Sequence, residues 1–150
     1  METLETKRII ELFSRKLGLL EEVLGYSKEQ RKLTYRDHSL KYDNLIQSRA
    51  KCLEDLGKLE VVLERSLNRL SEKVNNDDKF QEKLHAMNSD ITATLKQIIE
   101  LDKENKEKMI QERSDLQFKL RSVRQGRKGI AGYTGSNRSL TGGIFTDNKG

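Results

Sequence analysis

Apolar residues along this chain recur every three or four positions, and they do so in three stretches. Ile10, Phe13, Leu17, Leu20 and Leu24 fall on one stripe of a helix, which predicts a first segment from about Leu4 into the mid-thirties. Gly25 and Ser27 weaken it, and residues 27–32 offer no seam residue, so a bend or fraying is expected there. A second stripe, Leu45, Ile46, Leu53, Leu56, Leu63, Leu67, Leu70 and Val74, follows an interruption at residues 37–39. The pattern is compatible with either one rod or two for these segments. Residues 74–78 then give the firmest turn signal, because Asn and Asp favour turns and Asp77 or Asp78 can accept from the free N–H groups of the next helix. Phe80, Leu84, Met87, Ile91, Leu95, Ile98, Leu101, Met109, Leu116, Leu120 and Val123 form the last and longest stripe.

These stripes predict an all-α fold. A long amphipathic helix gains most of its stability from packing, so the second segment is expected to fold back on the last through the 74–78 turn. The result is an elongated antiparallel helical hairpin, with the first segment alongside or end to end, in a three-segment coiled-coil bundle spanning residues 1–124. Asn105 interrupts the last stripe where an apolar residue is due. A seam Asn fixes register, or marks where the stripe leaves the bundle and becomes free for another chain; a third reading puts it on a solvated flank.

Composition agrees with stripes rather than a broad core: 34% of residues are hydrophobic, 5% aromatic and 35% charged. The periodicity stops near Gln125, and residues 125–150 read as a flexible, basic, Gly-rich tail, GRKGIAGYTGSNRSLTGGIFTDNKG. From residue 121 on, six basic residues face Asp147 alone, which accounts for the whole net charge of +5 and leaves residues 1–120 neutral, laced with opposite charges at helix spacing. No 18-residue apolar run is present and METLETKRII carries charge where a secretion signal needs an apolar stretch, so a soluble cytoplasmic protein is expected.

Catalytic and metal chemistry find no support in the spacing. His38 and His85 belong to no HExxH or CxxC…H pattern, no Walker-type loop occurs, and Cys52 sits on an apolar helix face as a buried thiol. The reading is a binding protein, not an enzyme, with no cofactor and no metal. In the tail, Gly126 to Gly129 (GRKG) fits only loosely the GxxG loop of a nucleic-acid-binding fold, since no strands surround it, and few aromatics are present to stack on bases. No nucleic acid is expected as partner. Ile130, Tyr133, Leu140, Ile144 and Phe145 stand out against the glycines as residues tucked on the bundle or offered as anchors, Ile144 and Phe145 being the tail anchors.

The segment LLEEVLGYSKEQRKLTYRDHSLKYDNLIQSRAKCLEDLGKLEVVLERSLNRL resembles the FlgN-type flagellar export chaperones, with Leu19, Leu20 and Leu24 followed by Asp43, Lys51, Leu53, Leu59 and Arg65. DKENKEKMIQERSDLQFKLRSVRQGRKGIAGY, with Asn105 ahead of a heptad segment and Tyr133 after the basic stretch, is similar to that family's last helix, and GGIFTD at residues 142–147 to the tails of some members. The resemblance implies a chaperone that binds the C-terminal helical segments of the hook–filament junction proteins FlgK and FlgL, prevents premature assembly, and delivers them to the type III secretion export gate through FlhA. It implies a client-binding role for Met109, Leu116, Leu120 and Val123 and export-gate docking by Tyr133, which here sits among glycines. Two alternatives share the pattern: a FliT-like chaperone of the filament cap protein, and a coiled-coil protein that self-associates as a homodimer.

Overall fold

A computed structural model describes residues 3–134 of the chain, with side chains through residue 126. Helix α1 spans Leu4–Arg31, α2 Tyr35–Asn68, the single turn α3 Glu72–Asn75, and α4 Asp78–Thr134. No strand occurs among the described residues, and the all-α architecture follows. The chain divides into two compact units, one ending at Glu107 and one beginning at Lys108.

In the first unit, α1, α2 and the leading part of α4 surround one core. The Thr3 hydroxyl accepts from Thr6 N–H and the Thr6 hydroxyl accepts from Thr3 N–H, a reciprocal cap that satisfies donors the first turn leaves free. The helix then runs without a break through Gly25 and Ser27, contrary to the expected fraying. Ser27 is fully buried and is itself a seam residue, held by polar partners on α4.

Residues 32–34 separate α1 from α2, so these are two helices, packed side by side. Leu33 is buried in the link. Lys16 pairs with Glu60 at 2.6 Å, Cys52 donates to Glu22 at 3.2 Å, and Gln30 donates to the Tyr42 hydroxyl at 2.6 Å. As the position rises along α1 its partner falls along α2, which makes the pair antiparallel. The expected interruption at 37–39 is present as a kink inside α2, where His38 leaves helical geometry (φ −135°, ψ 35°).

The reversal into α4 begins earlier than the Asn/Asp cluster implies. α2 ends at Asn68, and Ser71 caps the one-turn α3 by accepting from Val74 N–H. The second reversal is where the sequence placed it: the Asp77 carboxylate accepts from Lys79 N–H at 3.0 Å and from Phe80 N–H at 3.3 Å, and so starts α4. Gln81 donates back to the Asn75 carbonyl and side chain, stapling α3 to the new helix.

Ile9, Phe13, Leu20, Val23, Cys52, Leu63, Val74, Phe80, Leu84, Ile91 and Ile98 form the core. Its membership corrects the expected stripes by a position or two. Ile9 and Val23 are buried, while Ile10 and Leu24 flank them; Tyr42 and Leu59 are buried on α2, while Ile46 and Leu53 are exposed. On α4, Thr94 takes the seam position and Leu95 lies outside it. α4 also continues past the expected boundary at 124, its backbone remaining helical through Thr134.

Gly25 and Gly57 sit mid-helix with open space where a Cβ would stand. Gly25→Ala and Gly57→Ala are each expected to stabilise the protein by about 0.5–1 kcal/mol, because alanine loses less backbone freedom on folding than glycine. Urea unfolding measures the gain; a loss at either position would show that the glycine serves some packing or bending role.

Candidate functional site

Two arrangements in the described residues carry chemistry beyond core packing. The first lies inside the unit ending at Glu107. Ser27, at 0% exposure on α1, donates through Oγ to Asp102 Oδ1 at 3.1 Å, and its carbonyl accepts from Asn105 Nδ2 at 3.1 Å. Asp102 Oδ2 in turn accepts from the Arg49 guanidinium of α2. Arg31 reaches Glu104 at 3.1 Å beside this layer. Four side chains thus tie three helices together at one height. Asn105, only 4% exposed, belongs to the seam and not to a solvated flank. Two atoms in the layer, Arg49 Nε and Asn105 Oδ1, are buried and unpaired. Each desolvated group of this kind opposes folding, so the layer specifies how the helices meet more than it adds to stability.

The second arrangement is in the unit that starts at Lys108. Met109, Leu116 and Val123 are spaced by sevens and Leu120 falls between the last two, so on a helix of 3.6 residues per turn all four share one side. Met109 is 41% exposed, Leu116 45% and Val123 49%, with Leu120 half-buried. Stripe residues of the first unit are buried far more deeply, Phe80 at 5% and Ile98 at 6%. The same helical spacing puts Arg113 and Arg124 along one border of the exposed stripe, and Lys108 and Lys119 together with Glu112 and Asp115 along the other. Such a surface offers apolar area to a helix-sized partner and has no group positioned for bond making or breaking.

The four residues expected to bind a client are therefore brought together by α4. The residue expected at the export gate, Tyr133, lies within the helical backbone of α4 with its side chain outside the described residues, as do Ile144 and Phe145 altogether. Sequence reasoning missed Ser27, Arg49 and Asp102; the polar intrusions at 27 and 49 in otherwise regular three-four spacing were the available signal. His38 and His85 are both exposed, and no group of three or more His, Cys, Asp or Glu side chains comes together among the described residues. No described helix is long and apolar enough to cross a membrane.

Cys52 is buried, 8% exposed, as its position on an apolar face implied. Burial, together with its hydrogen bond to the Glu22 carboxylate, pushes the thiol up to about 11. The thiolate is the reactive form, so this cysteine is inert at neutral pH.

Compared with known protein families, curated proteins and solved structures, the chain matches none of them.

Asn105→Ala removes the donor to the Ser27 carbonyl and leaves a small void; a loss of about 1–3 kcal/mol in unfolding free energy is expected by chemical denaturation. For Cys52, the folded state favours the neutral thiol. The resulting stabilisation is complete below the unfolded thiol pKa of about 8.5 and is lost as pH rises toward 11. Comparing wild type with Cys52→Ala across that window should show the difference between them shifting against wild type as pH climbs.

Proposed function

We propose that this chain is a non-enzymatic, cytoplasmic flagellar export chaperone of the FlgN type. It holds the amphipathic C-terminal segments of the junction proteins FlgK and FlgL on the stripe Met109, Leu116, Leu120 and Val123, keeps them from assembling early, and passes them to the export gate through FlhA. Tyr133 is the residue assigned to the gate. The observation that carries this reading is the exposure of that stripe, 41% at Met109 and 49% at Val123, on a helix whose earlier seam residues Phe80, Leu84, Ile91 and Ile98 are buried. A contiguous apolar face of this size is costly to leave in water unless a partner covers it. The resemblance of residues 19–70 and 102–133 to FlgN-type chains, carried by heptad leucines and a few polar positions, supports FlgK and FlgL as the partners. A client helix laid along the stripe would bury its own aggregation-prone face in the same contact.

Isothermal titration of the full chain with the C-terminal segments of FlgK, FlgL and the filament cap protein, at about physiological ionic strength, tests this directly. Saturable binding of a FlgK or FlgL segment is expected, and Leu116→Asp should weaken it at least about tenfold, or about 1.4 kcal/mol, with little change in Tm because the side chain is exposed. Binding of the cap protein segment alone would move the assignment to a FliT-like chaperone; binding of none would discard it. Tyr133→Ala should keep client affinity while losing retention by FlhA, and a loss of client affinity would place Tyr133 in the client site instead.

A further inference from the structure

Charge around the exposed stripe narrows what can lie on it. Residues 108–126 hold five cations, Lys108, Arg113, Lys119, Arg121 and Arg124, against the two carboxylates of Glu112 and Asp115. Asp115 already accepts a hydrogen bond from Gln111 at 3.0 Å. Whatever local pairs these side chains make, the segment is net positive. Arg113 and Arg124 border the stripe on one side with no carboxylate among them, while Lys108 and Lys119 share the other side with Glu112 and Asp115, so the positive excess lies along the Arg113–Arg124 edge.

We infer that the partner seated on Met109, Leu116, Leu120 and Val123 is an amphipathic helix of about four turns whose own apolar stripe is bordered by Asp and Glu on the side that meets Arg113 and Arg124. The length follows from the stripe, which covers about 21 Å from residue 109 to residue 123 at 1.5 Å per residue. The acidic border follows from complementarity: carboxylates at that edge of the contact meet the positive excess of the segment, which raises the rate of encounter and rejects basic competitors. A second copy of this segment is disfavoured by the net positive charge that both copies would carry. A nucleic acid would satisfy the cations but leave the apolar stripe in water, so a peptide fits better. This inference rests on the proposal that the stripe is a client site, and adds the client's charge pattern to it.

The test uses the full chain and two synthetic helical peptides of about 20 residues. They share one Leu/Ile stripe and differ only in its borders, Glu in one and Lys in the other. Fluorescence anisotropy at low and high salt is expected to give the Glu peptide at least a tenfold tighter Kd at low salt, an advantage that shrinks at high salt and in the double variant Arg113→Glu, Arg124→Glu. Equal affinities, a preference for the Lys peptide, or no binding of either would overturn the inference. So would a stable dimer that Leu116→Asp converts to monomer, or a single-stranded RNA that displaces the Glu peptide from the stripe. If FlgK or FlgL segments bind while the designed peptides show no charge preference, the charge inference fails and the chaperone reading stands. If the Glu peptide is preferred but none of the flagellar segments binds, the reverse holds.

Discussion

A serine buried among three helices has to be answered by polar groups from its neighbours, because an unpaired hydroxyl and an unshared carbonyl there would cost more than the apolar contacts around them return. In this bundle the answer comes from α4, where Asp102 takes the Ser27 hydroxyl and Asn105, almost one turn on, takes its carbonyl. Sliding α4 by one turn against α1 would take Asp102 from the Ser27 hydroxyl and leave Asn105 without its acceptor. The apolar contacts between Leu, Ile and Phe tolerate such a slip far better. Arg49 then closes the layer from α2, so the height of each helix is set by one polar cluster.

That cluster explains why the fold was legible in the sequence and the core membership was not. The three long helical segments, the Asp77 cap, the irregularity near His38 and the long last helix all follow from three-four spacing and turn chemistry, which are local. The seam itself runs through Thr6, Ser27, Thr94 and Asn105 as well as through apolar residues. Reading only the apolar positions drew the stripes toward Ile10, Leu24, Ile46, Leu53 and Leu95, which neighbour the true seam. No local rule admits Ser27 to a core; it is admissible only because its partners lie 75 and 78 residues away. The extension of α4 through glycines at 126, 129 and 132 was missed for the opposite reason, since glycine signals a helix end by its propensity and here does not impose one.

The candidate site was legible because it is a stripe, and stripes are what periodicity reports. Burial adds the distinction the sequence lacked. Along α4 the seam residues up to Asn105 serve the bundle, while Leu116 and Val123 keep nearly half their surface in water. One helix thus holds both a region committed to folding and a region with apolar area to spare. The buried Asn105 is the last deeply buried seam residue before Glu107, where the first unit ends. Its two suggested roles, fixing register and marking where the stripe departs, are compatible at this one position.

The three-residue link between α1 and α2 has a consequence for how the bundle comes together in time. Closing so short a loop costs little chain entropy, and the contacts it enables, Gln30 with Tyr42 first among them, are close in sequence. Pairing α4 to that hairpin must instead bring together residues separated by 78 positions. On a growing chain α1 and α2 emerge before α4, so Ser27 has no partner from α4 until Asp102 and Asn105 arrive to bury it.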